Sequence, residues 1–177
     1  MKVDAHHHLW TISRGDYGWL TPALGPIYRD FTMDDISPLL DATGIDRTIV
    51  VQAADTVRET EFLLSQAEGT ERVAGVVGWI DMQAHDAIAT LDRLAEHHKF
   101  CGILPMIQGI SDDNWILHSQ LDPVFDRLTQ LGLTFDALVL PRHLRPLLTR
   151  LRRNPDLRCV IDHGAKPDLA GGNIADW

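Results

Sequence analysis

An α/β fold built from repeated βα units is what the sequence predicts, and three observations carry it. Short β-branched runs recur at even spacing, stretches with a helical apolar period separate them, and the runs are apolar throughout rather than alternating. A strand that is apolar on both faces is covered on both, the signature of a parallel sheet wrapped by crossover helices.

The runs are residues 3–9, 48–53, 73–80, 101–106, 133–138 and 158–162. Between the first two, Thr32 can cap a helix that runs through Ile36, Leu39 and Leu40 to a stop at Gly44. Thr56 followed by Glu59 is a capping-box signature for the next helix. Asp122-Pro123 opens another that passes Phe125 and Leu128 and ends at Gly132. Residues 141–152 carry Leu144, Leu147, Leu148 and Leu151 at a period near 3.6. The basic residues between Arg142 and Arg153 then read as the solvated face of that helix.

Two closures suit such a chain, an open doubly wound sheet or a barrel. No G-x-G-x-x-G turn follows the first strand, which weighs against a dinucleotide-binding sheet. His6, His8, Gln52, Asp136 and His163 stand at or near the ends of different strands, where barrel enzymes collect their chemistry. The expected fold is therefore a (β/α)8 TIM-type barrel. A full barrel takes about 250 residues, and this chain has 177 with six strand signals. It reads as a barrel truncated to about six βα units, a single domain over residues 1–177 that lacks the C-terminal units. The last stretch, AKPDLAGGNIADW, has no strand signal.

Composition narrows the function classes. With 45% hydrophobic and 23% charged residues the chain is globular, and its net charge of −9 disfavours nucleic acid, which is held by clustered Lys and Arg. No apolar run approaches the ~20 residues of a membrane span, and the N-terminus lacks a signal-peptide layout. A cytoplasmic protein with no membrane partner is expected. Cys101 and Cys159 read as small apolar core residues within strands rather than as a disulfide.

The candidate chemistry starts at VDAHHHLW, residues 3–10, whose three histidines sit among Val3, Ala5, Leu9 and Trp10 as native strand sequence rather than as a tag. Alternation along a strand sends His6 and His8 to one face and His7 to the other. An H-x-H pair presents two imidazoles to a metal or an anionic substrate; two histidines satisfied at a strand end are an equal alternative. CVIDHGAKP, residues 159–167, brings His163 to the end of the sixth strand; Asp162 reads as a loop capper or as a group that orients a ring nitrogen, and Lys166 as a solvated lysine beside Pro167 or a contact to a substrate carboxylate. Asp136 interrupts LTFDALVL, where a carboxylate is costly unless it faces a polar mouth, and there it can bind substrate hydroxyls or help activate water. Gln52 in IVVQAA can donate to a substrate oxygen. Trp10, Tyr17 and Trp19 lie in a long loop that either lids a pocket or packs beneath the rim. His85, His97, His98, His118 and His143 are expected mostly at the surface.

Taken together, VDAHHHLW, RGDYGWLTPALGPIYRDF, VVQAA, VVGWIDM, LTFDALVLPRHL and VIDHGAKP resemble the amidohydrolase superfamily over essentially the whole chain. The resemblance is to the Amidohydrolase 2 group of sugar-lactone hydrolases, which includes L-fuconolactonase and L-rhamnonolactonase. It implies a (β/α)8 barrel that opens a sugar lactone by water attack, with His6, His8 and His163 matching the group's catalytic histidines; the carboxylate that activates water would come from Asp136 or from a segment outside this sequence. From their own positions and chemistry, Gln52, Trp10 and Lys166 are the residues expected to contact the substrate. In metal-dependent members, His6, His8 and His163 would bind or surround one divalent ion, commonly zinc; a metal-independent mechanism is equally compatible. The group's Gly-Ser-Asp-Trp type aspartate has no counterpart here, and Leu104 stands where many relatives carry an arginine. Two other readings stand beside the lactonase. One is a catalytically inactive incomplete barrel acting as a homo-oligomerising or binding unit; the other is a metal-dependent decarboxylase of the same superfamily.

Overall fold

The computed structural model describes residues 1–172, 174 and 177. Six strands alternate with five helices among them: β1 (Val3–His7), α1 (Met33–Thr43), β2 (Arg47–Val51), α2 (Val57–Glu68), β3 (Val73–Gly78), α3 (Ala87–Ala95), β4 (Phe100–Ile103), α4 (Asp122–Leu131), β5 (Thr134–Ala137), α5 (Leu144–Arg153) and β6 (Arg158–Ile161). The strands pair in the order of the chain, and the β1–β2, β2–β3, β4–β5 and β5–β6 ladders are parallel. A doubly wound sheet places its later strands on the far side of β1, whereas strictly sequential order is that of a barrel wall. The expectation of an α/β fold of barrel type is thus met, with six strands and, among the described residues, five α-helices. The strandless C-terminal stretch of the sequence reading includes residues 173, 175 and 176, which lie outside the described residues. Among the described residues no helix is long and apolar enough to cross a membrane.

The chain divides into two compact units, residues 1–79 with 96–101 and residues 80–95 with 102–177. In the first, Val50, Val51, Val73, Val76 and Val77 of β2 and β3 are buried, as are Leu63, Leu64 and Ala67 of α2. Gly78 permits this close packing, because a Cβ there would lie 2.2 Å from the Thr60 side chain. Thr60 uses the space to accept from the Trp79 amide at 2.7 Å. Helix α1 starts as expected at Thr32, which forms a full capping box with Asp35, and ends at Gly44 in the left-handed conformation.

In the second unit, Phe125 of α4 meets Phe135 of β5 edge to face at 5.0 Å between ring centres. Leu128, Ile103 and Leu147 of the same unit are buried as well. Helix α3, in a stretch with no expected helix, buries Leu91 and Leu94. It is tied to α4 by Arg127 Nε donating to Asp92 at 2.6 Å. Gly102 of β4 faces the Thr134 carbonyl so closely that a Cβ would stand 2.4 Å from it.

Several local expectations give way to tertiary structure. The fourth strand stops at Ile103, just short of Pro105, which has no amide proton for a ladder. Leu39 and Leu148 are exposed although both fit the apolar period of their helices. The cysteines are only half-buried, and β6, with a strand neighbour on the β5 side alone in the pairing order, exposes Val160 and Ile161. His143, expected at the surface, is fully buried. Its Nδ1 accepts from the Leu140 amide at 3.0 Å, and burial together with Arg142 lowers its pKa. Arg150, expected on a solvated face, is 1% exposed. Its Nε donates to the Ile116 carbonyl at 2.9 Å, another nitrogen pairs with Asp122 at 2.6 Å, and the guanidinium lies 4.3 Å above the Phe125 ring centre. A leucine-spaced helix pattern cannot show that one of its arginines will be turned inward to hold a loop.

Two stability changes are expected. Gly102→Ala forces its Cβ against a backbone carbonyl and lowers stability by about 1–3 kcal/mol, read as a lower urea midpoint. Arg150→Met leaves the Ile116 carbonyl and Asp122 without their donor and costs roughly 3 kcal/mol in the same measurement.

Candidate active site

In the first unit the H-x-H pair is built as alternation dictates. His6 and His8 flank the end of β1, and their rings meet edge to face at 5.0 Å with an interplanar angle of 85°. His8 Nδ1 lies 2.9 Å from the Val51 carbonyl oxygen. A carbonyl only accepts, so Nδ1 carries the proton and the lone pair of the neutral ring sits on Nε2. His7, between them, is part-buried, and that burial lowers its pKa. Gln52 follows β2 directly; its amide continues the ladder to the Val77 carbonyl at 2.8 Å and its side chain is buried.

Residues 10–31 form the long loop that follows. Trp10 pairs with Phe31 through two backbone hydrogen bonds, and its indole meets Trp19 edge to face at 5.6 Å. The Trp19 indole donates to the Ala53 carbonyl at 2.8 Å. Tyr17 and Leu20 are buried against Ala53 and Ala54, with Trp10 and Ile12 packed onto them. The loop therefore packs onto the turn that follows Gln52. What holds it there is the fully buried carboxylate of Glu59, a residue whose place in the sequence marks only a capping box. It accepts from the Tyr17 hydroxyl at 2.8 Å and lies 3.6 Å from Arg14.

In the second unit, Phe135 packs onto α4, so Asp136, next along β5, projects from the opposite face of the strand. It is 5% exposed. Asp136 and Asp162 both act on the Cys159 thiol, whose pKa is pushed up to about 12 by burial first and by these carboxylates second. After β6 the backbone turns left-handed at four successive residues, His163, Gly164, Ala165 and Lys166, with φ between 51° and 59°. Three of these carry a Cβ, and each such residue costs roughly 1 kcal/mol or more in this conformation. The turn leaves His163 exposed at the strand end. Lys166 is exposed, and its Nζ donates to the Gln108 side chain at 2.6 Å.

Metal ligation has a clear geometric requirement. A zinc site takes three or four donors, and the His6–His8 pair supplies two imidazoles. Among the described residues, no group of three or more His, Cys, Asp or Glu side chains is gathered to hold a metal ion.

The comparisons with known proteins agree with the fold and the motifs. The model of a family described as Amidohydrolase matches residues 3–177. The chain is 47% identical over 176 residues to an L-fucono-1,5-lactonase of Burkholderia ambifaria, covering 99% of this chain and 61% of that protein. It is 32% identical over 176 residues to an L-fucono-1,5-lactonase of Burkholderia multivorans, covering 96% of this chain and 57% of that protein. A crystal structure of an amidohydrolase from Burkholderia multivorans with bound zinc superposes with a TM-score of 0.87 at 31% identity, covering 96% of this chain and 60% of that one. The chain spans about three-fifths of the length of the curated relatives it matches. With the family match running from β1 to Trp177, the chain belongs to the amidohydrolase family.

Proposed function

We propose that this chain carries the chemistry of a hydrolase that opens a sugar lactone of the fuconolactone type. The observation that carries the reading is the His8–Val51 hydrogen bond within an amidohydrolase H-x-H pair. The names of the two lactonase relatives support the choice of substrate class.

The hydrogen bond also refines the role of His8. A neutral imidazole with its proton on Nδ1 cannot donate from Nε2 to a carbonyl oxygen, but it can accept a proton there. In the proposed reaction, Nε2 of His8 takes a proton from water as the water oxygen bonds to the lactone carbonyl carbon. The resulting imidazolium is stabilised by its Nδ1–H bond to Val51. When the tetrahedral intermediate collapses, the ring C–O bond breaks and the departing alkoxide takes the proton back from Nε2, giving the open hydroxy acid.

The other residues are assigned by their chemistry. His6 sets the His8 ring edge-on, and Gln52 donates to a substrate oxygen. Trp10 offers an apolar face to the sugar ring. Within the second unit, Asp136 has the chemistry to accept from sugar hydroxyls, and His163 and Lys166 to donate to an oxygen that gathers negative charge. No step in this scheme passes through a metal.

The test is hydrolysis of a panel of sugar γ- and δ-lactones by the purified chain, followed with a pH indicator, with and without added zinc. L-Fucono-1,5-lactone is expected to turn over fastest. His8→Ala should reduce kcat at least about 100-fold with the fold retained by circular dichroism, the usual size of a general-base loss. A folded chain that hydrolyses no lactone in either condition overturns the reading. Unchanged turnover in His8→Ala removes His8 from the reaction.

A further inference from the structure

We propose that Glu59 is a positioning residue that holds the Trp10–Trp19 aromatic wall beside Gln52, so that it sets substrate affinity without touching substrate. As a statement about affinity, this rests on the lactone-hydrolase reading above.

The argument begins at the helix cap. A glutamate three residues after a threonine N-cap ordinarily returns its carboxylate to the cap's own amide. In this chain Thr56 does cap the Glu59 amide, at 3.0 Å. The Thr56 amide, however, donates to the Ala54 carbonyl at 2.8 Å, and the Glu59 carboxylate is directed elsewhere. One oxygen accepts from the Tyr17 hydroxyl at 2.8 Å, and the other accepts from the Ala53 amide at 3.4 Å. Arg14 stands 3.6 Å away, held between Asp16 and the Phe62 ring, whose centre is 4.1 Å from the guanidinium carbon.

The carboxylate thus joins the two segments that bear the proposed substrate contacts. On one side is the turn immediately after Gln52; on the other is the loop that carries Trp10 and Trp19. Trp19 crosses the same junction with its indole bond to Ala53. A carboxylate with no solvent exposure is expensive to bury, and desolvation raises the Glu59 pKa despite three favourable neighbours. An apolar side chain would fill the space at less cost but could not bind Tyr17 and Ala53 together.

Tyr17→Phe and Glu59→Gln test this by two readouts. Phenylalanine keeps the buried ring and loses only the hydroxyl, and glutamine keeps one of the two acceptor oxygens. On the lactone turned over by the parent chain, both variants should raise KM about tenfold while kcat stays within about twofold, because ground-state and transition-state binding are lost together. By hydrogen exchange, amides of residues 10–31 should exchange severalfold faster, with Val73–Gly78 unchanged. An unchanged KM beside a lowered melting temperature would mean that Glu59 serves stability alone and would overturn the proposal. Exchange that rises equally in the loop and in β3, or in neither, would do the same. If the parent chain turns over no lactone, the functional reading fails, and the exchange measurement alone still decides whether Glu59 holds the loop.

Discussion

A strand that lies parallel to its neighbour cannot return by a hairpin; the chain has to cross over and begin again from the same end. Everything else in this protein depends on that constraint. It makes the βα unit the repeat, and it gives paired strands a common direction, so that the polar residues following them are all placed at carboxyl ends. His8 after β1, Gln52 after β2 and His163 after β6 are consequences of one topological rule. The H-x-H pair adds the period of two, which returns His6 and His8 to the same face.

The energetic cost of this arrangement is concentrated at a few buried polar groups. Arg150 and Glu59 are both removed from water, and each is surrounded by partners on different segments of chain. Arg150 ties α5 to the Ile116 carbonyl and to Asp122, where α4 begins. Glu59 ties the loop after β1 to the turn after β2. In both places the charge does what an aliphatic side chain cannot, bonding polar groups on two segments of chain at once. The left-handed turn at His163–Lys166 is a third local expense, set where a strand end meets proposed substrate contacts.

Strands and most helices were legible because each rests on local signals. Thr32 and Asp35 cap α1, Gly44 and Gly132 end α1 and α4, and valine-rich runs form β2 and β3. The residues of the candidate site could be listed from strand ends and motifs for the same reason. Their partners were not legible. Glu59 fits a capping box perfectly well in sequence, and only the approach of Tyr17 and Ala53 diverts its carboxylate. His143 and Arg150 occupy positions whose spacing suits a solvated face, and the packing of α5 buries them.

By itself, then, the sequence determined the βα repeat, the positions of the strand ends and the alternation that pairs His6 with His8. All of these follow from propensities and periods that act within about ten residues. Tertiary structure alone decided the protonated nitrogen of His8 and the partners of Glu59, Arg150 and Lys166. Each of these depends on a group far away in the chain, such as the Val51 carbonyl that faces His8 across 43 residues. No local pattern encodes that approach.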